Sequence, residues 1–486
     1  MSDSDNSDNQ ATRCEDALIA RSAVELVGLL RRGEVSSREL LDALERRIAA
    51  VDGAVGALPT LCFERARARA ERLQARPPED RGLLCGLPVA IKDLTDVAGV
   101  RTTYGSPIYA DHVPERSGVL AERLEAEGAL VYAKSNTPEF GAGAQTFNEV
   151  FAPTRNPWDT RLSAAGSSGG AAAALASGTA WLAHGSDMGG SLRNPASFCG
   201  VVGLRPSPGR VAAGPSETPF QVLSVEGPMA RDVRDCALLL DAMTGEHPGD
   251  PLSLPRPETP FLAALERRPP PRRVAFSRDL GLTPVEPEVA EICAAAARTL
   301  EGQGIAVEDA HPDLGEAHDA FQVLRGLDFA IGLGPLLGEH RDKLKPEVIW
   351  NVEKGLALGG AEIAEAERQR GRLVHRAAAF FEDFDLLLTP ATIVPPFAVE
   401  QRYPTACDGH AFETYIDWLA IAYAITLTGC PAISIPCGFT REGRLPVGLQ
   451  IVGPPRGEAA VLAGARLVEQ RLGLVPITPI EPRVAH

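Results

Sequence analysis

The chain has 486 residues and is 44% hydrophobic, enough to bury a substantial core, and its length alone allows two or three domains. Its formal net charge of -16, with no concentrated Lys/Arg stripe to offset it, would repel a phosphate backbone and excludes nucleic acid as an expected partner. Nine cysteines, at residues 14, 62, 85, 199, 236, 293, 407, 430 and 437, are scattered and lack metal-ligand spacing, which excludes a disulfide scaffold and fits a reduced, cytoplasmic protein.

Residues 1–15 open with Met1-Ser2-Asp3-Ser4-Asp5, polar and acidic, with neither a basic flank nor an apolar stretch. A disordered tail is expected there, and neither a signal peptide nor a membrane anchor. Ser22-x-x-Glu25 and Ser36-x-x-Glu39 each have the form of a capping box and predict two helix starts. In the second helix, Leu40, Leu41, Leu44 and Ile48 share one face. The charged run from Glu64 to Arg76 reads as a solvated helix. Leu87 to Ile91 predicts a buried strand, Val119 to Glu127 a helix, and Ala129 to Ala133 another strand. The alanine-rich run from Gly170 to Ala176 predicts a closely packed helix, and Thr179 to Ala183 a returning strand. The proline-rich stretch from Pro255 to Pro271 is expected to be a surface connection. Arg273–Phe276, Asp385–Leu388 and Ala432–Pro436 add strands. This rhythm predicts an α/β fold: a large mixed sheet flanked by helices on both faces.

Two serine-glycine runs carry the chemistry: Ala165-Gly166-Ser167-Ser168-Gly169-Gly170 and Asp187-Met188-Gly189-Gly190-Ser191-Leu192-Arg193. A serine hydroxyl needs an adjacent base to attack, and successive glycines let backbone N–H groups approach a developing oxyanion. Lys92, at the end of the apolar Leu87–Ile91 run, is the candidate base, since desolvation favours its neutral form. Asp93 must then point elsewhere or be paired, because a close carboxylate would restore the charge.

Together with Lys134–Phe140, Asn156-Pro157-Trp158, Thr428–Ala432 and Leu445–Gln450, these segments resemble the amidase signature family from about Ser22 to Gln450. The resemblance implies one catalytic domain over 16–482. It makes Ser191 the nucleophile, Ser167 the serine that follows a cis peptide bond, and Lys92 the terminal base. It places the N–H groups of Met188, Gly189, Gly190 and Ser191 around the oxyanion and the Gly141 backbone beside the substrate. Ser168, Asp187 and Arg193 would hold the loops. Ala165 stands where the family usually has glycine. The implied reaction is hydrolysis of a linear, small-molecule carboxylic amide through an acyl-enzyme, with no cofactor, metal or membrane. A homodimer is compatible with it.

Two other readings compete. The amidase-like component of a tRNA-dependent amidotransferase shares the same triad, so the triad alone does not exclude that role. Gly166-x-Ser168-x-Gly170 also fits a nucleophile elbow, with Ser168 attacking and the late His410 as base. That arrangement leaves Lys92 and the second serine run without roles. The nine histidines offer no H-x-x-x-H pair for a metal hydrolase.

Overall fold

The computed structural model describes residues 17–474 and 477–484; the 1–15 segment read as a tail, and Cys14 with it, lie outside the described residues. Both capping boxes form. Ser22 Oγ accepts from Glu25 N at 3.2 Å while Glu25 Oε2 accepts from Ser22 N at 3.0 Å, and Ser36 and Glu39 repeat the exchange. The helices they start span Ala23–Arg32 and Ser37–Val55.

An eleven-stranded mixed sheet runs through the fold. Its strands are β1 (Thr60–Leu61), β2 (Pro88–Lys92), β3 (Leu130–Ser135), β4 (Leu182–Asp187), β5 (Val202–Arg205), β6 (Val225–Ala230), β7 (Arg273–Phe276), β8 (Ala306–Asp309), β9 (Leu386–Pro390), β10 (Ala432–Phe439) and β11 (Pro446–Val452). Their order is β1-β3-β2-β4-β6-β5-β10-β11-β9-β7-β8. Near one edge β3, β2 and β4 run parallel, near the other β9, β7 and β8 do, and the strands between pair antiparallel. Every residue of β2 and β3 is buried, as parallel strands covered on both faces require. Val89 pairs with Leu182 and Ala90 with Ala183. This register brings Lys92 and Asp187, the last residues of β2 and β4, to one edge, at the carboxyl ends where open α/β sheets place their sites.

The alanine-rich helix spans Gly169–Ser177 and all of it is buried. A Cβ at Gly170 would lie 2.3 Å from Asn136 N and 2.7 Å from Ala57 O, so only glycine lets this helix lie against the end of β3. The strand expected at Thr179–Ala183 begins later, at Leu182. Gly178 ends the helix at φ 77, and the N–H groups of Thr179 and Ala180 still bond to Ala174 O. Those two residues complete a helix terminus and are not free to join a ladder. The proline-rich connection holds one short helix, Phe261–Ala264, anchored where Asp241 accepts from Phe261 N at 2.7 Å and Leu262 N at 3.0 Å.

A 24-residue helix, Ala317–His340, is apolar and long enough by composition to cross a bilayer. It packs against the helices Pro346–Leu356, Gly360–Asp383 and Ala420–Thr428, and 39% of its apolar stretch is buried. Its Phe321, Arg325 and Phe329 line one cavity with Leu94, Ser186 and Met188, residues at or beside the ends of β2 and β4.

Candidate active site

Lys92 is fully buried, and its Nζ lies 2.7 Å from Ser167 Oγ, 2.9 Å from Ser168 Oγ and 3.0 Å from Ser186 Oγ. Three hydroxyls satisfy an amine without committing it to a charge. Burial lowers Lys92 to about 7, against the opposing pull of the Glu226 and Asp187 carboxylates. Asp93 turns away, as the sequence requires. It accepts from Thr103 N at 3.1 Å and Thr103 Oγ1 at 2.5 Å, and faces Lys134 Nζ at 3.6 Å.

The Gly166–Ser167 peptide is cis. Ala165, at the usual glycine position, holds φ 55. Its N–H donates to Ser163 Oγ at 2.9 Å and its carbonyl accepts from Thr146 Oγ1 at 2.8 Å, so the turn forms with a methyl in left-handed backbone. Ser168 points inward: its Oγ is buried against Lys92 and Ser186, and its N–H donates to Ser191 O at 3.2 Å.

Asp187 organises the second loop. Its carboxylate accepts from Gly190 N at 2.9 Å and Leu192 N at 3.1 Å, and takes the fork of Arg193 through Nε at 3.0 Å and Nη2 at 2.9 Å. Burial would raise this carboxyl, but Arg193, by charge and hydrogen bond, and Arg205 hold it well below the usual carboxylate range. Arg193 reaches on to Ala422 O, Gln450 Oε1 and Thr426 Oγ1, tying the loop to the sheet and to the Ala420–Thr428 helix. One expectation needs correction here. The Gly190 N–H is spent on Asp187 and is not free for an oxyanion, because the carboxylate folds back over its own loop. The N–H groups of Gly189 and Ser191 make no hydrogen bond among the described residues.

Ser191, Ser167, Gly141, Met188 and Gly189 border one cavity. A Cβ on Gly141 would meet Leu94 Cδ1 at 3.0 Å and Ser167 Oγ at 3.4 Å, so the bare backbone there leaves the space beside the buried Ser167 hydroxyl unfilled. His410 is elsewhere. It is exposed on the Ala406–Cys407/His410–Ala411 hairpin and lines a different cavity with His318 and Tyr423. The nucleophile elbow therefore fails twice: Ser168 is engaged inward, and among the described residues no histidine hydrogen-bonds to it, buried His184 being spent on Lys92 N and Glu226. Among the described residues, no three His, Cys, Asp or Glu side chains are grouped to hold a metal.

The Amidase family profile matches residues 39–462. The chain belongs to the amidase signature family. An acylamidase from Rhodococcus erythropolis is 36% identical over 451 residues, covering 91% of this chain and 94% of that protein. The A-type component of a glutamyl-tRNA(Gln) amidotransferase from Moorella thermoacetica is 36% identical over 475 residues, covering 92% and 96%. The crystal structure of a bacterial aryl acylamidase superposes with a TM-score of 0.86 at 28% identity, covering 95% of this chain and 99% of that one. In this member of the family, the cavity is completed by residues the sequence reading did not single out. Phe321, Arg325 and Phe329 descend from the Ala317–His340 helix, with Leu94, Phe140 and Leu419 beside them. Their signal was the i, i+4, i+8 spacing of Phe321, Arg325 and Phe329, which puts one cation on an otherwise aromatic stripe.

Proposed function

We propose that the protein hydrolyses a carboxylic amide to an acid and an amine or ammonia, with Ser191 as nucleophile and Lys92 acting through Ser167. The observation that carries this reading is the 2.7 Å contact between a buried, charge-depleted lysine and Ser167, in a cavity that Ser191 also borders. In the neutral amine the contact reverses: the Ser167 O–H donates to the Nζ lone pair. Ser167 can then take the proton of Ser191 as Ser191 Oγ bonds to the amide carbon. The carbonyl π pair moves to oxygen, and the N–H groups of Gly189 and Ser191, which have no partner among the described residues, receive that charge. One such donor contributes about 3 kcal/mol. Collapse expels the nitrogen, which leaves with the proton returned through Ser167. Water then attacks the acyl-enzyme by the same relay, releasing the acid and restoring Ser191. Asp187 and Arg193 position the loop and take no proton.

Ammonia release from a panel of aliphatic, aryl and amino-acid amides tests the reaction, and a serine-directed fluorophosphonate tests the residue. Ser191→Ala should remain folded and form no adduct, while Ser168→Ala should still be labelled; the reverse pattern overturns the assignment. A second reading, the amidase-like component of an amidotransferase, is supported by similarity to the Moorella protein. Turnover of simple amides by the isolated chain favours hydrolysis, whereas glutamine-dependent transfer seen only with copurified partner proteins favours the second reading.

A further inference from the structure

Arg325 is 6% exposed and is the one charged side chain among the residues that line the cavity with Ser167 and Ser191. A guanidinium carries five donors and a permanent charge. Nη1 spends one on Met188 Sδ at 3.2 Å, a weak acceptor, and Nη2 one on Tyr415 Oη at 2.9 Å. Nε is buried with no acceptor. The Phe329 ring lies 4.5 Å from Cζ and the Tyr415 ring 6.0 Å. Asp328, three residues along the helix, feels the Arg325 charge but makes no ion pair or hydrogen bond with it among the described residues. A buried cation with unspent donors is costly unless an anion meets it. Among the described residues no carboxylate pairs with it, Asp328 acting only through space, and the side chain borders the space where substrate would lie. The remaining walls there include Leu94, Phe140, Phe321 and Leu419, which suit an apolar body.

We propose that Arg325 receives a carboxylate borne by the amide substrate, at the end of an aliphatic or aromatic body lying against Phe140, Phe321 and Phe329. The inference rests on the hydrolytic reading above and names its substrate class. The fork geometry of guanidinium matches both carboxylate oxygens, so Arg325 is a specificity residue that touches substrate. The rival role is a strut that only holds Met188 and Tyr415 in place.

Two matched pairs separate these roles: glutaramate against pentanamide, and para-carbamoylbenzoate against para-methylbenzamide. In each pair a carboxylate replaces a methyl group. Wild type should favour the carboxylate in kcat/KM by about tenfold or more on at least one pair, the scale of a buried charged hydrogen bond. Arg325→Met should collapse that ratio toward one, and Arg325→Lys should restore part of it. A wild-type ratio near one on both pairs, or an unchanged ratio in Arg325→Met, overturns the proposal, because a strut would slow both members equally. Calorimetry on Ser191→Ala, with and without Arg325→Met, reads the same preference as affinity for the intact amides. Should wild type turn over no amide at all, the hydrolytic reading falls. The calorimetric comparison still decides on Arg325, and equal affinity for both members of each pair refutes it.

Discussion

Asp93 Oδ1 lies 3.6 Å from Lys134 Nζ, and both side chains are buried. Adjacent residues at the end of a strand point to opposite faces, so the carboxylate next to the proposed base in sequence serves a different lysine in space. Lys134 also donates to Thr95 O and to Thr102 Oγ1. Burial draws Lys134 down to about 8 and pushes Asp93 up, so neither member of the pair holds its charge cheaply without the other. Lys134→Met should therefore destabilise the fold by about 3–5 kcal/mol, the cost of stranding one member of a buried pair. Urea unfolding measures it. A loss under about 1 kcal/mol would mean that Thr103 and its neighbours satisfy Asp93 unaided.

The Asp187 carboxylate is held by four donors from its own loop, two of them on Arg193. Asp187→Asn keeps the shape but leaves Arg193 and Arg205 buried without a counter-charge. Stability should fall by about 3–5 kcal/mol near neutral pH, and amide turnover should drop by at least about a hundredfold as the Gly189 and Ser191 donors lose their geometry. Because the folded carboxyl is held below its unfolded value, this contribution is present above about pH 4 and is lost only as pH falls further. A wild-type to variant stability gap that instead closed between neutral pH and about pH 5 would contradict this account.

Much of this site is legible in the chain itself. Lys92, Ser167 and Ser191 stand in motifs whose order is informative, and the buried strands β2 and β3 announce themselves as apolar runs between turn signals. What cannot be read is convergence across the chain. That Gly190 spends its N–H on Asp187 depends on where a carboxylate folds, and that Arg325 meets Met188 joins residues 137 positions apart. Cys293 and Cys437, scattered in sequence, come within 3.8 Å through packing of the Pro287–Arg298 helix on β10. Propensity favours starting β4 at Thr179, whereas the helix terminus claims the first two residues of that run.

Ala165 bears a methyl group at φ 55. Left-handed backbone costs an ordinary L-residue about 1–2 kcal/mol, while glycine loses roughly 0.5–1 kcal/mol more chain entropy on folding. The difference favours Ala165→Gly by about 0.5–1 kcal/mol. Thermal unfolding should show a rise in Tm. A fall would show that the buried methyl contributes more by packing than its backbone conformation costs.

Burial draws Lys92 down to about 7 in the folded protein, against roughly 10.4 for an unperturbed lysine. If its neutral amine is the base, kcat/KM should rise with pH through about 7 and then level, and Lys92→Ala should abolish that limb with most of the turnover. Folding carries the same shift with a defined sign. Between about pH 7 and 10.4 the unfolded chain binds a proton that the folded chain has released, so the Lys92 contribution makes stability rise with pH across that window. Below it the buried charge opposes folding in full, and above it the penalty is gone. Lys92→Met removes the titrating group. It leaves the hydroxyls of Ser167, Ser168 and Ser186 short of a partner at every pH, a constant loss. The stability of Lys92→Met relative to wild type should therefore be highest near about pH 6 and fall steadily toward pH 10. Urea unfolding across that range, set beside the pH–rate profile, makes two independent readings of one proton. A flat stability difference together with a rate limb that survives Lys92→Ala would place the base on another residue.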